Sequence, residues 1–225
     1  MIARKLCLVA LSGLLLFLSA SCQAEQVPTA ETVLSSPLRS PVVTGKTSLT
    51  ETNAAMGDGR SLSAKEAFPI AEVHAEFWNS RAVFIGIWPS RAMQMNLGQP
   101  PGRLGWFYQF KDTASGDELF VQVLDQELHG STVAHPLVEE LPYTFQPIDL
   151  GKVRFDSSAI LAQYLDTEDG KAHLSQRQDV EWDFRLVQVN ASPNPVWSLF
   201  DVQNLGRSLL SIDAATGKSV DDPLP

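Results

Sequence analysis

One pattern constrains this 225-residue chain more than any other. Beyond residue 60 a helix followed by three strands reads off the sequence, and then the same series reads off again. The first helix opens at Ser63, with Glu66 three residues later to complete a capping box that satisfies free amides of the first turn. Ala64, Phe68, Ala71, Ala75 and Trp78 recur at alternating spacings of four and three, which makes one apolar stripe. Lys65, Glu72, Glu76 and Asn79 take the opposite side. Pro69 lies inside the stripe and removes a hydrogen bond, so a kink or a late start is predicted there. Residues 82–88 form a β-rich apolar run closed by Pro89, and residues 104–110 and 118–125 flank a turn-forming stretch as a hairpin. The second copy begins at Asp156, another good N-cap, and is predicted to run as a helix to Glu168 with Gly170 as its stop. A strand at 182–189 and a hairpin at 196–200 and 208–213 complete it.

Spacing supports a duplication. Ser63 and Asp156 are separated by 93 positions, and Trp106 and Trp197, each opening a hairpin, by 91. Asp125 and Asp213, each closing one, are separated by 88. The expected fold is therefore α+β: two tandem units, each a helix on an antiparallel sheet, at 61–135 and 156–220. A connector at 136–155 joins them and a polar tail at 221–225 follows.

The N-terminus carries an address. Arg4 and Lys5 precede an apolar segment over residues 6–20, too short for a membrane span of roughly 20 residues, so it reads as an export signal. That segment ends in Leu18-Ser19-Ala20-Ser21-Cys22, which resembles the lipobox of bacterial lipoproteins. The resemblance implies removal of residues 1–21, lipid on Cys22 and anchoring to a membrane of the bacterial cell envelope. The usual pattern places Leu where Ser19 stands, and ordinary cleavage after Ala24, giving a secreted soluble protein, is the alternative. Residues 22–60 are rich in Ser, Thr and Pro and hold no aromatic, the composition of a disordered tether that buries too little to offset chain entropy.

At the second hairpin the residues become specific. Pro195-Val196-Trp197, then residues 209–212, then Asp213-Ala214-Ala215-Thr216-Gly217-Lys218, resemble the end of a PepSY-type domain. The resemblance covers residues 156–220. The first unit is similar over 63–131, where it keeps Gly105-Trp106 and Leu124-Asp125 but replaces the Thr-Gly turn. What the resemblance implies is a small sheet covered by one helix, secreted or membrane-tethered, non-catalytic, and suspected of binding or inhibiting peptidases.

Composition and motifs narrow the chemistry. A net charge of -9 with no basic run in the folded region argues against a nucleic-acid groove, which needs clustered cations. The two cysteines, Cys7 and Cys22, both precede the folded region, so a disulfide or a cysteine metal site is not expected there. His74, His129, His135 and His173 form no HExxH pair, and no Gly-x-Ser-x-Gly elbow or Gly-rich turn after a strand occurs in the folded region. No catalytic, cofactor or metal residue is therefore assigned. His74 is read as a partly buried helix residue, and Asp221-Asp222 as solvated. Asp213, Thr216 and Gly217 could suggest a cation site, but one carboxylate supplies too few oxygens; the turn reading has Asp213 accepting backbone amides and Gly217 left-handed. Met93, Met95, Pro100 and Pro101 mark the candidate contact loop, since Met side chains conform to irregular partners; an ordinary crossover is the alternative. The function expected is binding of an unidentified protein or peptide, with open strand edges and this loop as contact surfaces. A scaffold lipoprotein and a hydrolase using carboxylates are the other readings.

Overall fold

The computed structural model describes residues 60–100, 102–135, 144–177, 179–190 and 192–224. The export segment, Cys22 and the tether through residue 59 lie outside the described residues, as does Pro101. Four helices are described: α1 (Ala64–Trp78), α2 (Ser90–Asn96), α3 (Ser157–Leu165) and α4 (Glu168–Gln176). Seven strands are described: β1 (Ala82–Trp88), β2 (Trp106–Asp112), β3 (Glu118–Leu124), β4 (Glu127–Ala134), β5 (Trp182–Val187), β6 (Val196–Asp201) and β7 (Leu210–Asp213). They form one antiparallel sheet in the order β4-β3-β2-β1-β5-β6-β7. The architecture is α+β, helices on an antiparallel sheet, as expected. The strands of both expected units share that sheet and meet where Gly86 and Ile87 of β1 pair with Val187 and Leu186 of β5.

α1 starts where its capping box puts it. The Ser63 hydroxyl accepts the Glu66 amide, and the Glu66 carboxylate accepts the Ser63 amide at 2.9 Å. Pro69 does not delay the start: the helix runs through it, and its missing amide leaves only the Lys65 carbonyl without that partner. Ala64, Ala67, Ala71 and Ala75 are buried, and such small side chains let α1 lie close to the sheet. Opposite them the strands alternate: Trp106, Tyr108 and Phe110 of β2, Leu119, Val121 and Val123 of β3, and Trp182, Phe184 and Leu186 of β5 fill one core. Ile160, Leu161 and Tyr164 of α3 close it over Trp197, Leu199 and Ile212.

The two tryptophans singled out by spacing have matching surroundings. The Trp106 indole donates to the Leu62 carbonyl at 2.9 Å, and the Trp197 indole to the Phe155 carbonyl at 2.8 Å. Leu62 and Phe155 each sit one residue before a helix N-cap, Ser63 and Asp156. The two helix N-termini also touch. Asp156 accepts the Ser157 amide at 2.7 Å and the Lys65 amide at 3.3 Å, and the Ser157 hydroxyl accepts the Ala64 amide. The aspartates do not match. Asp125 opens a tight turn into β4 with Gln126, at φ 49° and 70°, while Asp213 closes β7.

Further expectations need correction. The second helix does not reach Glu168: α3 ends at Leu165, and the Thr167 hydroxyl accepts the Gly170 amide at 3.0 Å to start α4. Gly170 therefore lies in the first turn of α4 and stops nothing. A Cβ there would come within 2.1 Å of the Tyr164 carbonyl, so the close approach of α4 to α3 requires glycine. The stretch after β1 is not all loop, because α2 occupies it. Asp222 is not simply solvated either; it pairs with Arg185, and Leu224 beyond it is buried.

Candidate interaction surface

The edges of a sheet are where its backbone can still bond, and here they differ. At β7 the chain covers its own edge: Ile212 bridges Ser219, and the Val220 amide donates to the Ser211 carbonyl at 3.0 Å. At the other end β4 is exposed along most of its length, and its outer side makes no backbone hydrogen bond to another described residue. It carries no Lys, Arg or Pro, the residues that commonly blunt an edge. One bulge, between Gln122 and Val123 of β3 and their β4 partners, bends it near His129.

An apolar shoulder rises beside that edge. Leu128, Ser131 and Val133 pair with Val123, Val121 and Leu119, so they share the face that meets α1. His74 reaches across to the Ser131 hydroxyl at 2.9 Å and ties the helix to the strand. One turn on, Phe77 is 86% exposed, and with Val73, Glu76 and Ser80 it lines a depression of about 370 Å³. A phenylalanine ring left this open in a chain with a filled core is a ready anchor: covering it contributes about 2–3 kcal/mol.

The predicted contact loop is divided. Met95 is 65% exposed and Pro100 is exposed, but Met93 is 8% exposed and belongs to the interior. The loop is also pinned. The Gln94 amide donates to the Arg103 carbonyl at 2.9 Å, its oxygen accepts the Gly102 amide, and the Ser90 hydroxyl accepts the Gly105 amide at 3.0 Å. These bonds hold the base of the loop and leave Met95 and Pro100 as its outward part. At the other turn, Asp213 accepts the amides of Ala215 and Thr216 at 2.9 Å, and Gly217 is left-handed at φ 71°. Burial pushes the Asp213 carboxyl up, but the Asn194 side-chain amide and those backbone amides outweigh it and hold it below its ordinary value. This is the turn expected from the sequence. Among the described residues no group of three His, Cys, Asp or Glu is placed to hold a metal ion.

Two buried polar clusters escaped the sequence reading. Arg60, expected in the tether, is buried beyond the end of β1, where its guanidinium donates to the Gly105 and Trp182 carbonyls and to Asp183 at 2.7 Å. It stacks on the Trp106 ring at 4.5 Å and the Phe184 ring at 5.2 Å. Asp183 in turn accepts the amides of Phe184 and Arg91. No spacing or motif marks an arginine for this; only the alternation that puts Asp183 inside a buried strand hints that a cation must come from elsewhere. The second cluster holds α4: Tyr164 meets His173 at 3.0 Å, and His173 and Arg177 both face Asp201. Burial pushes the Tyr164 hydroxyl up, with the Asp169 and Asp201 charges adding to it. A tyrosine–histidine–aspartate chain could move a proton, yet Tyr164 is buried and none of these residues lines a described cleft. Its visible work is to fasten α4.

No family model, curated protein or solved structure matches the chain.

Proposed function

We propose that this chain is a non-catalytic binding module of the bacterial cell envelope, exported, held to a membrane by lipid on Cys22, and built from two PepSY-like units. The matched indole hydrogen bonds of Trp106 and Trp197, each to the residue before its own helix cap, support reading the halves as copies. The segment over residues 1–22 supports export and lipidation through its charge, its short apolar run and its cysteine. Peptidase inhibition is the regulatory role the PepSY resemblance suggests.

The observation that carries the binding reading is the open β4 edge, with Phe77 bare one helical turn from the His74–Ser131 bond. An extended peptide adding to β4 gains backbone hydrogen bonds from the strand and places alternate side chains on the face that carries Leu128 and Val133. A scaffold whose units only pack on each other has no use for an open edge or a bare ring. The test is a photoreactive amino acid at position 77 or 133 of the full chain in the cells that make it, with position 168 as an exposed control. Discrete adducts at 77 and 133 alone support the reading; adducts that are equally frequent at 168 contradict it.

A further inference from the structure

We propose that residues 218–224 are a built-in ligand, occupying in cis a peptide groove whose preferred guest is an extended segment with an aspartate two residues before a leucine. The inference deepens the binding reading and rests on it, but it concerns the β7 end of the sheet and not the β4 edge.

The segment is held as a bound peptide would be. Its backbone lies along β7 through the Ile212–Ser219 bridge and the Val220 amide bond to Ser211. Its charge meets a prepared partner: the Asp222 carboxylate pairs with Arg185, a largely buried guanidinium of β5 that stacks on Phe200 at 5.1 Å. The same guanidinium donates to the Leu224 carbonyl at 3.1 Å, and Asp222 accepts the Leu224 amide at 3.0 Å, which fixes the two-residue spacing. The Leu224 side chain then drops into an apolar pocket of Val187 and Val189 flanked by Trp88 and Phe145. Between these grips the segment faces solvent, with Ser219, Val220 and Asp221 exposed.

The bed is roomier than its occupant. A cleft of about 440 Å³ stays open between the segment and the wall formed by Val189, Pro193 and Val196. Three grips of different chemistry, backbone, ion pair and leucine pocket, define a guest more sharply than an apolar face alone. Because the left-handed turn at Gly217 tethers the segment next to its bed, its effective concentration is in the millimolar range, and a guest in trans must outcompete it. The segment thus acts as a strap that keeps the groove closed to weak guests.

The experiment titrates a fluorescent synthetic peptide of residues 219–225, carrying a photoreactive group, into the full chain and into a chain shortened to residue 218. The expected result is saturable binding to the shortened chain, at least about tenfold weaker binding to the full chain, and adducts mapping to Val187 or Val189. Replacing Asp222 by Asn or Leu224 by Ala in the peptide, or Arg185→Met in the chain, should each weaken binding by about tenfold. If the shortened chain does not fold, the same peptide in excess over the full chain should speed hydrogen exchange at the Val220 amide. No binding together with unchanged exchange overturns the proposal, as does equal binding of the Leu224→Ala peptide. Adducts at Phe77 would overturn it while leaving the binding reading intact. Adducts at Val187 alongside failed crosslinking from position 77 would uphold the groove and overturn only the β4 surface.

Discussion

Arg60→Met removes a buried guanidinium while keeping a stem of similar length, and the structure sets the size of the effect. Asp183 is 1% exposed in its side chain, so without Arg60 it keeps only the Phe184 and Arg91 amides as partners for a full charge. Breaking a buried pair from one side costs about 3–5 kcal/mol. Loss of the stacking on Trp106 and Phe184 adds about 1 kcal/mol. Against a total stability of about 5–15 kcal/mol this is a large share. It corresponds to a fall in Tm of about 12–18 °C, at roughly 3 °C per kcal/mol for a domain of this size. The assay is guanidinium unfolding of four proteins: the parent, Arg60→Met, Asp183→Asn and the double variant. The pair predicts a coupling of at least about 2 kcal/mol, with the double variant less damaged than the two singles imply. A chain starting at residue 61 should behave like Arg60→Met, and one starting at residue 58 like the parent. A loss below about 1 kcal/mol for Arg60→Met, or additive effects in the cycle, would refute the reasoning.

Phe77→Asp should leave stability within about 0.5 kcal/mol of the parent, because the ring is already in water, while abolishing adducts from position 133; a cooperative loss of folding would show that the ring is packed. Gln126→Gly should raise stability by about 0.5–1 kcal/mol in denaturant melts, since the turn puts a non-glycine residue at φ 70°; a loss would show that the glutamine side chain outweighs that strain. Acid should weaken the fold through Asp112, Asp117 and Asp213. The Ala114 amide beside Asp112, the His135 ring beside Asp117 and the donors around Asp213 hold all three below the ordinary carboxylate value. Depressed carboxyls stabilise fully above the unfolded value near 4 and lose that contribution as pH falls through their folded values. Melts at pH 6, 4 and 3 should therefore decline, with a smaller decline in Asp213→Asn; equal declines would contradict the assignment.

Local signals were legible where local physics decides. The Ser63–Glu66 box, the alanine stripe of α1 and the runs of β1, β2, β5 and β6 each depend on a few neighbouring residues, and the sequence placed them within a residue or two. The Trp106 and Trp197 correspondence was legible because both indoles need a hydrogen-bond partner and find the same one. What failed depends on distant chain. Arg60 looks like tether until a carboxylate 123 positions away needs it. Met93 turns inward because Gln94 and Ser90 pin α2 to the segment leading into β2, a constraint invisible in a Met-x-Met pattern. Helix α4 has one buried residue and no strong apolar stripe, so nothing in its periodicity announced a break at Thr167. The candidate surface was half visible: open edges were expected in general, but which edge the chain covers itself is decided by pairing, not by composition.

Hydrogen exchange along β4 is the most direct test of binding by strand addition. With a peptide selected on the full chain from a random library, alternate amides of Glu127–Ala134 should slow sharply, because those facing away from β3 gain partners. A guest that binds tightly outside the groove of Val187 and Val189 and leaves every β4 amide exchanging at its unliganded rate would contradict the account.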